Sequence, residues 1–192
     1  MSDPLKFGIM ACGKTPRELS ESIICSGYIS EYLKARGYVP SGYHTFIAEK
    51  KDKEKVKLCG EKLYYLSRAS DLVITVGADG FSKDDIIPEI TSKICSREVN
   101  FFTCILCGHI LNKVKGKYRP SGSRAGVCAG SLVLNMRCDR EFVSEVLPII
   151  LPEIEIVMTE ISGKNAVESK DVYDKMTSVC DSRQFSLKLA EI

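Results

Sequence analysis

Residues 71–89, which read DLVITVGADGFSKDDIIPE, decide the fold class. A continuous apolar run from Leu72 to Val76 stops at a glycine-bearing turn, and Pro88 and Glu89 then open a helical pattern. A short run of apolar and β-branched residues with no polar face predicts a strand buried on both faces, as in a parallel sheet. Because backbone N–H groups are free at the start of the following helix, we expect an anionic ligand to bind at this turn.

Strands and helices alternate along the rest of the chain. Further strands are predicted at residues 6–11, 43–47 and 132–136, and helices at 17–36, 50–68, 86–110 (in two pieces) and 142–158, the last interrupted or turned at Pro148 and Pro152. This alternation predicts an α/β fold in which a mostly parallel sheet is covered by helices on both faces. The loops after residues 11, 47, 76 and 136 should then meet at one edge of the sheet.

Length and charge are those of an ordinary globular protein. The 192 residues suit one domain with room for a tail, and a formal net charge of +2 gives no reason to expect a nucleic-acid or membrane partner. Apolar runs fall short of the roughly 20 residues that a membrane helix needs. The first residues lack the pattern of a signal peptide, so we expect a cytoplasmic protein.

The nine cysteines favour buried thiols over a metal site. Six of them lie within or beside hydrophobic segments: Cys12, Cys25, Cys59, Cys95, Cys104 and Cys128. Cys104 and Cys107 have the CxxC spacing, but the chain has no second CxxC and only two histidines. The sequence therefore does not favour a zinc site.

Residues 8–15, GIMACGKT, fit the P-loop pattern GxxxxGK[ST]. The motif requires a loop between its two glycines, whereas residues 9–12 belong to the predicted first strand, and Pro16 would fall inside the motif's helix. A nucleotide-binding P-loop is therefore not favoured. Lys14 still lies at the edge of the sheet where a ligand is expected, and its side chain either reaches an anion or remains solvated.

Three aspartates, Asp79, Asp84 and Asp85, cluster around the turn that follows the third strand. One of them is expected to cap the next helix, since a carboxylate satisfies free N–H groups there. Capping does not need three acids, and carboxylates beside a phosphate-binding turn suit Mg²⁺. Gly77 and Gly80 would allow the backbone to approach the phosphate closely.

The run TVGADGFSKDDIIPE, residues 75–89, resembles the TTGGTGFxxRDVTPE signature of the MoaB/MogA domain family, found in molybdopterin adenylyltransferases and the G domain of gephyrin. The resemblance continues in the same order: Ser26 falls in the family's DxSG motif, Ser123 in its SRxxxG element and Asn135 in its LIxN strand. It implies an α/β three-layer sandwich with a mostly parallel sheet over residues 5–160, a tail or docked helix at 161–192, and a homotrimer.

Where the family is active, it joins the AMP of ATP to molybdopterin and releases pyrophosphate, with Mg²⁺ as a helper. By resemblance, Asp85 is the metal ligand and catalytic aspartate, with Asp52 or Glu49 as the second carboxylate. The residues expected to bind substrate are Gly77, Asp79, Gly80, Ser123, Asn135, Ser26 and Lys14. Insertion of molybdenum would then require a partner that carries the insertion domain.

Several pocket positions depart from the family's pattern. Gly13–Lys14 stands where the family has Ser-Asp, so a base replaces an acid, and Ala78–Asp79 replaces a Gly-Thr pair. Arg137–Cys138 replaces a flexible Pro-Gly turn. The sequence therefore supports two functions, a divergent molybdopterin adenylyltransferase and a catalytically impaired member that serves as an oligomeric pterin-binding or scaffold module. A third possibility is another phosphate-binding protein of doubly wound fold.

Overall fold

The structure, a computed structural model, describes residues 4–47, 52–77, 85–113 and 122–162. The strands in this part of the chain are β1 Lys6–Gly13, β2 Val39–Ile47, β3 Leu72–Val76, β4 Arg97–Glu98, β5 Ala125–Cys128 and β6 Ser131–Met136. The helices are α1 Pro16–Lys34, α2 Lys53–Ala69, α3 Ile87–Ile94, α4 Asn100–Lys113 and α5 Arg140–Ser162.

One sheet contains all the described strands, in the order β2-β1-β3-β6-β5-β4. Neighbours among β2, β1, β3 and β6 pair in parallel, whereas β5 pairs antiparallel with both β6 and β4. The prediction of an α/β fold with a mostly parallel sheet is therefore confirmed. Because parallel strands end at the same edge, the C-terminal ends of β1, β2, β3 and β6 meet as expected.

Helices cover both faces of the sheet, which gives three layers. Side chains alternate along β3, so that Leu72 and Ile74 face a core built with α1, α4 and α5, while Val73 faces a second core built with α2 and α3. The same alternation holds in β6, where Leu132 and Leu134 face the first core and Val133 the second. Burial on both faces explains why these strands have continuous apolar sequences.

Two strands were not predicted from the sequence, and one expectation was wrong. β4 is only two residues long and polar, and β5 is only four residues long with small side chains, so neither gives a clear strand pattern. α5 was expected to be interrupted at Pro148 and Pro152, but both prolines lie inside a continuous helix. Leu147, Ile150 and their neighbours on α5 are buried in the first core, and this packing outweighs the hydrogen bonds that the prolines remove.

The described cysteines are free thiols, and most of them are buried as expected. Cys12, Cys25, Cys59 and Cys128 are buried and Cys95 is half-buried, but Cys104 is exposed, so the expectation was wrong for Cys104. None of the described helices combines the length and apolar character that crossing a membrane requires.

Asn135 links four segments of the second core. Its side-chain N–H₂ donates to Thr75 Oγ1 on β3 and Thr91 Oγ1 on α3, each at 2.9 Å. Its Oδ1 accepts from the Arg124 backbone N–H at 3.2 Å, and its own N–H donates to the Arg124 carbonyl at 2.9 Å. Asn135 is 1% exposed, so these bonds form out of contact with water.

Asn135→Ala is expected to reduce the free energy of unfolding by about 2 to 4 kcal/mol, because it leaves buried polar groups without partners. Chemical denaturation of the variant and the wild type measures this loss. Ser20→Ala, which removes an exposed hydroxyl on α1, is the control and should change stability by less than about 0.5 kcal/mol. A loss no larger than that of the control would show that the network does not stabilise the sheet.

Candidate functional site

Gly77 brings the end of β3 into close contact with β1 and α1. Its φ is +86°, and a Cβ at this position would lie 2.3 Å from both the Cys12 carbonyl oxygen and Ser22 Oγ. Its N–H donates to the Met136 carbonyl at the end of β6, at 2.9 Å. Both the backbone conformation and the close approach therefore require glycine here.

The sequence predicted that one of three aspartates caps the helix after β3, and this prediction was wrong for α3. The N-cap residue is Ile86, and no side chain accepts a hydrogen bond there. The Asp85 carboxylate instead forms an ion pair with the Lys14 ammonium, with 3.3 Å between Lys14 Nζ and Asp85 Oδ1. The Asp85 side chain is only 3% exposed, and a buried carboxylate requires such a partner. Asp84 lies outside the described residues.

Lys14 is held at the end of β1 by its own backbone. Its N–H donates to Glu18 Oε2 at 2.8 Å, while the Glu18 N–H donates to Thr15 Oγ1 at 3.2 Å. These reciprocal bonds resemble a capping box and fix the start of α1. Gly13 lets the helix come close, because a Cβ there would lie 2.3 Å from the Leu19 backbone nitrogen.

The P-loop pattern does not form a P-loop. Residues 9–12 lie within β1, which continues to Gly13, so no loop separates the two glycines of the motif. The interpretation against a nucleotide-binding P-loop is therefore supported, although Lys14 does reach an anionic group, the carboxylate of Asp85.

Asp52, one of the two candidates for the second carboxylate, has a structural role. Asp52 is the N-cap of α2, and its Oδ1 accepts from the backbone N–H groups of Glu54 and Lys55 at 3.1 and 3.0 Å. Glu49, Asp79 and Gly80 lie outside the described residues. The catalytic and binding roles implied for these residues remain predictions.

The structure brings the two residues expected to line a pterin pocket near each other. Ser123 is buried and directly precedes Arg124, whose backbone bonds to Asn135 in both directions. The Asn135 side chain is engaged with Thr75 and Thr91, so its amide holds β6 against β3 and α3. Ser26 is buried in α1, beside Tyr43 of β2.

A thiol pair that the sequence did not reveal lies beside Gly77. Cys138 follows β6 and is exposed, and its sulfur accepts hydrogen bonds from the Cys25 thiol and the Ser22 hydroxyl of α1. These bonds outweigh the opposing effect of partial burial and lower the pKa of Cys138 from 9.0 to about 7. The same thiol–thiol bond, with burial, raises the pKa of Cys25 far above its usual range. No sequence pattern links residues on two such distant elements.

In the described part of the chain the expected metal ligand is engaged by a lysine, and this pairing does not suit a resident Mg²⁺ ion. Mg²⁺ keeps several waters and is usually held by one or two carboxylates together with substrate phosphates. Among the described residues, no group of three His, Cys, Asp or Glu side chains is placed to hold a metal ion. The Asp85 carboxylate, expected to be the metal ligand, already binds the Lys14 ammonium.

Comparisons with known proteins agree with the resemblance found in the sequence. No protein-family model matches the chain. A molybdopterin adenylyltransferase of Helicobacter pylori is 29% identical over 128 residues, which is 63% of this chain and 66% of that protein.

Solved structures share the fold over a larger part of the chain. A molybdopterin biosynthesis protein from Mycobacterium abscessus superposes with a TM-score of 0.68, covers 83% of this chain and 97% of its own, and is 19% identical. The molybdopterin biosynthesis Mog protein from Mycobacterium ulcerans gives 0.66, with 85% and 100% coverage and 20% identity. With the signature at residues 75–89, these matches show that the chain is similar to proteins of the MoaB/MogA domain family and shares their fold.

Proposed function

We propose that this chain acts in molybdenum cofactor biosynthesis as a molybdopterin adenylyltransferase, transferring AMP from ATP to molybdopterin with release of pyrophosphate. Relatives named for this activity support the proposal. The single observation that carries it is the Lys14–Asp85 ion pair at the strand ends, since it joins an anion-binding group to the aspartate of the family signature.

The residues of this chain would contribute positioning and positive charge. Transfer of AMP requires that two phosphate-bearing substrates be held together while negative charge develops. The Lys14 ammonium would face the phosphates and Asp85 would hold it in place. Mg²⁺ would enter as part of the ATP substrate, chelated by its phosphates.

We also propose an oligomeric state, a cellular location and a partner for this protein. By resemblance to the family, the chain would form a homotrimer in the cytoplasm and deliver adenylated molybdopterin to a partner that carries the molybdenum-insertion domain. Each of these statements is separate from the chemistry and is testable by size measurement, localisation or co-purification.

One observation favours the second function, a module that binds the pterin without turnover. The Asn135 amide, expected to line the pterin pocket, is instead bonded to Thr75 and Thr91 within the protein. Such a protein would retain the pocket shape but lack the catalytic charge arrangement. The two functions differ in product formation and agree in pterin binding.

Incubation of the purified chain with molybdopterin, ATP and Mg²⁺ is expected to give adenylated molybdopterin and pyrophosphate in equal amounts, measured by chromatography. Asp85→Asn should lower kcat by about 100-fold or more, because the ammonium loses its orientation. Its affinity for molybdopterin should change much less, which separates a positioning role from a loss of folding. Glu21→Gln, an exposed position on α1, is the control. Pterin binding without product would favour the second function.

The alkylation rate of Cys138 can report whether molybdopterin is bound at the C-terminal edge of the sheet. Because its pKa is about 7, its alkylation rate by iodoacetamide should rise through pH 7 and level off above about pH 8. Exposed Cys104 is the internal control. Bound molybdopterin should slow alkylation of Cys138 and leave Cys104 unchanged, as read by mass spectrometry. If Cys138 is alkylated at the same rate with and without molybdopterin, the pterin does not bind beside Cys138.

A further inference from the structure

We propose that the Lys14 ammonium is a built-in cation that replaces a divalent metal ion at the Asp85 carboxylate and binds a substrate phosphate directly. The identity of the phosphate-bearing substrate rests on the proposed function above, whereas the replacement of the metal does not. The inference begins from the ion pair itself, with 3.3 Å between Lys14 Nζ and Asp85 Oδ1.

The position of Lys14 is fixed by the fold. Gly13 ends β1 and lets the backbone of Leu19 approach, so α1 begins directly after the strand. The Lys14 N–H is held by Glu18 Oε2 at 2.8 Å. The backbone of Lys14 is therefore held within reach of Asp85, and its side chain contacts that carboxylate in the structure.

The Asp85 carboxylate needs a cation, and lysine provides it. With its side chain 3% exposed, Asp85 is shielded from water, and an isolated charge in that position would be strongly destabilising. α3 gives it no capping role. A divalent ion bound to the same oxygen would lie beside the ammonium and be repelled by it. The ion pair therefore disfavours a metal ion at this oxygen of Asp85.

The ammonium remains accessible to a ligand. The Lys14 side chain is 32% exposed, while its partner is almost completely buried. An ammonium carries three N–H donors, so one can serve Asp85 while others meet a phosphate oxygen from the solvent side. This arrangement suits a phosphate group and supplies one positive charge without a metal ion.

Titration of the full chain with Mn²⁺ alone, followed by the electron paramagnetic resonance signal of the free ion, tests the replacement. The wild type and Lys14→Arg, which keeps the charge, should show no saturable site up to about 1 mM. Lys14→Glu places a second carboxylate beside Asp85 and should gain one site at least tenfold tighter. Adding Asp85→Asn to Lys14→Glu should remove that site.

A saturable Mn²⁺ site in the wild type that Asp85→Asn abolishes would overturn the proposal, as would a folded Lys14→Glu protein that gains no site. If Lys14→Glu does not fold, Mn²⁺ binding is compared between the wild type and Asp85→Asn alone. Mn²⁺ binding that depends on Asp85 would contradict the proposal, and its absence would support it. These measurements use neither pterin nor nucleotide, so their failure leaves the proposed function standing.

Binding of inorganic pyrophosphate in the presence of EDTA tests the contact with phosphate. Calorimetry should detect binding to the wild type, at least tenfold weaker in Lys14→Gln and within threefold of wild type in Lys34→Gln, an exposed lysine at the end of α1. Equal affinities in wild type and Lys14→Gln, or binding only when Mg²⁺ is added, would overturn direct recognition by Lys14.

Discussion

Parallel pairing of β1, β3 and β6 is the constraint on which the rest of the structure depends. Their register aligns Ala11 with Val76, and Val76 with Met136, so that three chain ends leave the sheet side by side. Hydrogen bonds of Asn135 to Thr75 and Thr91 then hold β3 and α3 against β6. Every group argued to have a function lies at or just beyond these three ends, and none would meet another without that register.

The electrostatics of the site follow from one buried carboxylate. Asp85 lies just before α3, and its negative charge is balanced by Lys14, which follows β1. Where the family's pattern has an acid, this chain has that lysine, so the balance of charge at the strand ends differs from the pattern. The change alters how a phosphate would be held without altering the fold, because the anchoring bonds of Lys14 use its backbone.

The sequence predicted those parts of the fold that are specified locally. The continuous apolar run placed β3 at Leu72–Val76, as observed, since no other element suits five consecutive apolar or β-branched residues between turns. β4 and β5 were missed because they exist through pairing with their neighbours in the sheet. β2 begins at Val39, earlier than predicted, because an edge strand with exposed residues has no clear periodicity. The sequence could not reveal the partner of Asp85, because Lys14 comes from a distant part of the chain.

The central claim is that a lysine, and not a metal ion, balances the charge of Asp85. A crystal structure of the wild-type protein grown with Mn²⁺, recorded with anomalous diffraction at the manganese edge, tests this most directly. The account predicts the Lys14 ammonium within hydrogen-bonding distance of the Asp85 carboxylate and no anomalous peak beside it. An anomalous peak on the carboxylate, with the lysine displaced toward solvent, would contradict the account.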